Sequence, residues 1–158
     1  MPIGTKSNKI DISLPKDIKL ISQRISNYLD NGDIVFLFGE IGVGKTTFAR
    51  LLINKYEIQN KLKKSEVLSP TFNIVFEYQI KDFTIKHYDL YRLKNEEDIK
   101  NIGLLENLNQ SILIVEWPEL IKKKPFNRID LFIEYGKGTR ERFVNIKTSG
   151  RLKNYEFQ

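Results

Sequence analysis

The stretch Ile34-Val35-Phe36-Leu37-Phe38-Gly39-Glu40-Ile41-Gly42-Val43-Gly44-Lys45-Thr46-Thr47 carries two signals in direct succession. The unbroken apolar run Ile34–Phe38 reads as a strand buried on both faces, the pattern of a central parallel strand. Gly39 to Thr46 then fits the phosphate-loop pattern G-x-x-x-x-G-K-[ST]. Gly42 and Gly44 let the backbone turn and bring its N–H groups close to phosphate oxygens, where a Cβ would hinder approach. Glu40, Ile41 and Val43 contribute the intervening amides, and the helix that follows points its positive N-terminus at the same anion. Lys45 offers a mobile cation to the β- and γ-phosphates, the Thr46 hydroxyl can ligate Mg²⁺, and Thr47 can add a bond to the α-phosphate. ATP with Mg²⁺ is the expected ligand.

Working outward, Leu14-Pro15 opens a helix, with Pro15 where its missing N–H costs nothing, and Ile18, Ile21, Ile25 and Leu29 recur at helical spacing before Asn31-Gly32. On the other side of the loop, residues 46–56 should be helical and 57–66 should form an exposed, charged connection. Residues 73–80 and 83–88 are β-rich runs around Lys81-Asp82, an antiparallel pair on a tight turn. Residues 95–109 carry helix formers interrupted at Gly103, and 111–117 form a second buried strand stopped by Pro118. Arg128–Tyr135 and 142–148 close the chain as strands with Gly136 and Gly138 between them. Neither repeats nor linkers break residues 1–158, so one domain is expected. Its class is α/β: a P-loop NTPase fold with parallel core strands, flanking antiparallel strands and helices on both faces.

A phosphate loop binds; hydrolysis also needs an acid for the hydrated metal and a group that places water. Glu116 ends the run Ile112-Leu113-Ile114-Val115, where a metal-associated acid is expected beside the loop, and Asp89 ends the strand that includes His87. Carboxyl ends of parallel strands line the ligand crevice, so both acids can converge there. Ser69-Pro70-Thr71-Phe72 reads as a rigid turn whose hydroxyl can approach a γ-phosphate. His87 reads as a strand residue satisfied locally rather than a base, Trp117 as packing or a contact near the site, and Lys122-Lys123-Lys124 as a solvated run.

The composition removes several classes. Among 158 residues there is no cysteine, which excludes disulfides and thiolate chemistry, and a single histidine cannot build a zinc site alone. The net charge of +6 would suit an anionic partner, but the excess of Lys, Ile and Asn accounts for it as compositional drift, and no dense basic block with interleaved aromatics marks a nucleic-acid footprint. Residues 1–8 lack the apolar stretch of a secretory signal, and the longest apolar runs fall far short of a membrane span. A cytoplasmic protein without membrane or DNA contacts is expected.

Several separated blocks agree with one family. Gly32-Asp33, Gly39 to Thr47, Ser69-Pro70-Thr71-Phe72, His87-Tyr88-Asp89-Leu90-Tyr91-Arg92-Leu93 and Glu116-Trp117-Pro118-Glu119 occur in order, and the chain resembles the TsaE (formerly YjeE) family of P-loop ATPases of bacterial tRNA threonylcarbamoyladenosine synthesis. The resemblance implies a weak ATPase, stimulated in a complex with the TsaD and TsaB proteins, which themselves transfer the threonylcarbamoyl group to an adenosine beside the anticodon. tRNA would be met through that complex. By matching position, Lys45 and Thr46 are the phosphate and Mg²⁺ residues, Glu116 is the second metal-associated residue, and Asp89 and Thr71 belong to the catalytic region. A threonine common near the start of the first helix is replaced by Ile18, and Glu40 stands where Asp is frequent.

Two other readings stay open. One is a nucleotide-gated binding module whose bound state, rather than turnover, acts on a partner. The other is a small nucleotide kinase, although 55–64 has lysines but no arginine for a phosphate-enclosing lid. A GTPase is disfavoured, because Asn54-Lys55 is followed by Tyr56-Glu57 rather than completing N-K-x-D.

Overall fold

The architecture follows from which apolar runs alternate and which do not. The computed structural model describes residues 8–153 and Tyr155; the expectation about the N-terminal stretch falls almost wholly on residues 1–7, outside them. In chain order the elements are β1 (Lys9–Asp11), α1 (Pro15–Ser26), β2 (Ile34–Phe38), α2 (Lys45–Gln59), β3 (Val75–Ile80), β4 (Phe83–Asp89), α3 (Glu96–Asn101), β5 (Ser111–Glu116), β6 (Arg128–Tyr135) and β7 (Arg142–Ser149), with single 3₁₀ turns at Leu108–Gln110, Pro118–Leu120 and Gly150–Leu152.

All the strands join one sheet in the order β1-β7-β6-β2-β5-β4-β3. The four central strands are mutually parallel, and the pairs β4–β3, β6–β7 and β7–β1 are antiparallel. This is the mixed sheet expected from the sequence. Strand β2 is buried along nearly its whole length because it has cores on both sides. Val35 and Leu37 point to α1 and α2, where they meet Ile21, Ile25, Phe48, Leu52 and Ile53. Ile34 and Phe36 point the other way, into a smaller cluster with Leu113, Val115, Ile99 and Leu104. The long helices thus cover one face, while α3 and the turns after it cover the central part of the other. Among the described residues no helix is long and apolar enough to cross a membrane.

The expected connection 57–66 is corrected. Helix α2 runs on to Gln59, and Glu57 is buried, not exposed. Its carboxylate accepts hydrogen bonds from the Ser65 amide, the Ser65 hydroxyl and the Asn54 amide, so it folds the segment back on the helix. The expected strand 73–80 also begins later, at Val75, because Ile74 turns the chain at φ 69°.

The C-terminal turn is pinned to the start of β2. Arg151 donates from both Nε and a terminal nitrogen to the buried carboxylate of Asp33, and to the Tyr28 carbonyl. Removing the guanidinium would leave a buried carboxylate whose one remaining partner among the described residues is the Asp30 amide. Because Arg151 itself is partly solvated, Arg151→Ala should lower unfolding free energy by about 1–3 kcal/mol. Chemical denaturation checks this; an unshifted midpoint would show that the pair contributes nothing.

Candidate functional site

The carboxyl ends of β2, β5 and β4 lie level. Leu37 pairs with Glu116, and Glu116 pairs with Asp89, so the glycine-rich loop and both acids emerge along one line at the rim of the sheet. The loop occupies residues 39–44, between the end of β2 and the first turn of α2. Gly39 must be glycine: its φ is +150°, and a Cβ would stand 2.5 Å from the Ile133 carbonyl oxygen and 2.7 Å from Val43 Cγ1. Gly44 caps α2 at φ +119°, and a Cβ there would meet nothing within 4 Å, so the approach to the helix N-terminus is clear.

Lys45 is 5% exposed. Its ammonium donates to the carbonyls of Gly39 (2.6 Å) and Glu40 (2.8 Å) and sits 3.9 Å from the ring centroid of Trp117. Burial pushes its pKa below the ordinary lysine value, opposed by the carboxylates of Glu116, Glu119, Asp89 and Glu40. Two of its three donors are committed to the loop, leaving one for an anion at the loop mouth. The Trp117 backbone that carries the ring has φ 57°, an uncommon left-handed conformation for a bulky residue, placed directly after Glu116.

The Thr46 hydroxyl donates to Glu116 Oε1 at 2.8 Å. Glu116 is 2% exposed, and its Oε1 also lies 2.8 Å from His87 Nε2. Asp89, likewise 2% exposed, accepts the hydroxyls of Ser69 and Thr71 on Oδ2, each at 2.9 Å, and the Tyr91 amide on Oδ1 at 3.0 Å. The geometry therefore brings together Lys45, Thr46, Glu116, Asp89 and Thr71. Trp117 stands at the site as a cover for Lys45, while Lys122, Lys123 and Lys124 are exposed on the surface. His87 is not satisfied by its own strand; its partner comes from β5.

A cavity of roughly 150 Å³ is lined by Gly42, Gly44, Lys45, Thr46, Thr47 and Glu116. A wider cleft of roughly 810 Å³ adjoins it, sharing Gly42, Gly44 and Thr47, with Leu14, Ile18, Val43, Leu51, Thr139 and Arg140 among its walls. Glu40 and Ile41 lie at the exposed outer turn of the loop. The oxygen donors of Thr46 and Glu116 suit a hard cation. Among the described residues no group of three His, Cys, Asp or Glu side chains could by itself hold a metal.

Three residues of this arrangement were not legible as site residues. Tyr135 donates its hydroxyl to the Ile41 carbonyl (3.2 Å), and Arg142 donates to the Val43 carbonyl (3.1 Å) while lying over the Tyr135 ring. Together they tie two carbonyls of the loop to the β6–β7 pair. Ser69 joins Thr71 on Asp89; its only signal was its place in Ser69-Pro70-Thr71-Phe72.

The family model described as threonylcarbamoyl adenosine biosynthesis protein TsaE matches residues 12–144. The chain is 40% identical over 107 residues to the tRNA threonylcarbamoyladenosine biosynthesis protein TsaE of Rickettsia felis, covering 68% of this chain and 60% of that relative. It is 30% identical over 138 residues to the Bacillus subtilis protein of the same name, covering 86% of this chain and 82% of that one. The matched region thus spans about three-fifths of the Rickettsia felis protein and most of the Bacillus subtilis one. The crystal structure of Bacillus subtilis YdiB superposes with a TM-score of 0.69 at 26% identity, covering 92% of this chain and 87% of that chain. With a family match over most of its length and a shared fold, the chain belongs to the TsaE family.

Proposed function

We propose that this protein binds and hydrolyses Mg-ATP in the threonylcarbamoyladenosine modification of tRNA beside the anticodon, acting with TsaD and TsaB and meeting tRNA only through that complex. The observation that carries the reading is the 2.8 Å hydrogen bond from Thr46 to Glu116. It joins the hydroxyl of the phosphate loop to the acid of the neighbouring strand, the pair of oxygens that P-loop ATPases place around a metal.

Each residue then has a task. The amides of Glu40 to Thr47 and the start of α2 receive the phosphates, and the free donor of Lys45 faces the β- and γ-phosphates. Thr46 and Glu116 are the residues that would hold Mg²⁺. When bound, the ion neutralises charge on the phosphate oxygens. The mostly apolar cleft beside the loop suits the base and ribose. Asp89, held by Ser69 and Thr71, stands beside Glu116 where it can orient water and accept its proton. In this reading turnover is weak alone and rises with partners, and the protein works in the cytoplasm.

One observation favours a second reading. Both oxygens of Asp89 are already engaged, tying segment 69–72 and the Tyr91 amide to the sheet. That arrangement also suits a nucleotide-gated module in which the bound state, rather than turnover, acts on the partner. Single-turnover hydrolysis with and without TsaD and TsaB separates the two: stimulation supports the ATPase, and its absence supports the gate.

Lys45→Ala should weaken Mg-ATP binding by at least about tenfold, since a charge-assisted hydrogen bond is worth roughly 1.5–3 kcal/mol. Isothermal titration calorimetry reads this directly, and wild-type affinity in the variant would remove the basis of the proposal. Asp89→Asn should leave affinity within about threefold and slow single-turnover hydrolysis by roughly a hundredfold. An unchanged rate would place the water-orienting role elsewhere.

A further inference from the structure

His87 lies beneath the site on β4, on the face of the sheet that carries Ile85 and Asp89. Its neighbours in the layer, Ile85, Ile112 and Ile114, belong to the core against α2, and a further apolar residue would continue them. Instead a polar ring is placed there, 0% exposed. Burying such a group is unfavourable unless it is hydrogen-bonded. One ring nitrogen, Nε2, meets Glu116 Oε1 at 2.8 Å, and the other, Nδ1, has no partner among the described residues.

These contacts determine where the ring proton belongs. A carboxylate oxygen accepts, so the hydrogen of this contact sits on Nε2. A bare nitrogen without a partner is tolerated in a core better than an orphaned N–H. The Thr46 hydroxyl donates to the same Oε1. Both protein donors thus fall on one oxygen of Glu116, and Oε2 takes no hydrogen bond from the described residues while Glu116 lines the small cavity at the loop.

We propose that His87 is a positioning residue: its Nε2–H fixes the Glu116 carboxylate so that Oε2, rather than Oε1, faces the hydrated cation at Thr46. This inference rests on the Mg-ATP reading. It differs from a purely structural role for His87, in which the bond to Glu116 serves only to satisfy a core residue. Outer-shell donors that orient metal-associated carboxylates typically change metal affinity by roughly ten- to hundredfold when removed.

Two measurements test it, and they separate its failure from failure of the ATP reading. The chain has one histidine, so ring ¹⁵N NMR of the protein alone, without nucleotide or metal, reports His87 unambiguously. A proton on Nε2 in slow exchange, whose resonance moves in Glu116→Gln, is expected; a ring protonated on Nδ1, or averaging both forms, overturns the proposal whatever the nucleotide does. The second is calorimetry of ADP with and without Mg²⁺. His87→Leu should keep metal-free ADP affinity within about threefold and lose roughly ten- to hundredfold of the Mg²⁺-dependent gain, and His87→Gln, whose amide can donate from a similar position, should restore most of it. A folded His87→Leu with the wild-type Mg²⁺ response overturns the proposal, as does His87→Gln behaving like the leucine variant. If His87→Leu does not fold, His87→Gln with a lost Mg²⁺ response overturns it and with a retained response supports it. No Mg²⁺-dependent gain in the wild type would instead count against the metal reading itself.

Discussion

The constraint on which the rest of the structure depends is the level ending of three parallel strands. Backbone pairing places Leu37, Glu116 and Asp89 side by side. In a parallel ladder that register also determines which way each side chain points. Sliding β5 by one residue would turn Glu116 toward the opposite face and bring Val115 to the loop. The long apolar runs of β2 and β5 prevent this, because both faces of each strand are packed and a slip would move whole sets of Ile, Leu and Val out of their clusters. Core packing thus determines the placement of the acids without touching a ligand.

On that rim the loop is held from two directions. From inside, the Lys45 ammonium gathers the carbonyls of Gly39 and Glu40. From outside, Tyr135 and Arg142 take the carbonyls of Ile41 and Val43. Together these bonds engage the carbonyls of Gly39, Glu40, Ile41 and Val43, and the Val43 amide closes the turn on the Glu40 carbonyl at 3.2 Å. Bonds on both sides of the loop restrict its backbone conformation, and preorganised donors are a main source of electrostatic stabilisation where charge is received.

The parts of this arrangement that could be read in the sequence are those written locally. The run Ile34–Phe38, the spacing of Gly39, Gly44 and Lys45, the turn at Lys81-Asp82 and the acids at the ends of apolar runs all lie within a few residues of what they signify. Contacts between distant segments could not be read that way. Glu57 stands in a charged stretch and reads as solvated, yet Ser65 folds back to it. Tyr135 and Arg142 read as members of a closing strand pair, because nothing local says that this pair passes beside the loop. His87 reads as locally satisfied, because its partner lies 29 residues away on a strand whose register the sequence does not spell out.

The two carboxylates of the site are held with unequal firmness, and the difference bears on how such a site can work. Glu116 is fixed by a fully buried imidazole and by a helix-borne hydroxyl, in surroundings where an unpaired donor is costly. Asp89 is tied to segment 69–72 by two hydroxyls, of which Ser69 is exposed and Thr71 only partly covered, while Phe72 beside them is 82% exposed. Hydrogen bonds to a carboxylate are worth about 1.5–3 kcal/mol each. The same segment ends at Ile74, a β-branched residue at φ 69°, a conformation that costs of order 1–3 kcal/mol. That strain offsets part of what the bonds contribute. Glu116 is therefore held by groups seated in the core and on α2, whereas Asp89 is held by a segment at the surface whose own backbone strain opposes it.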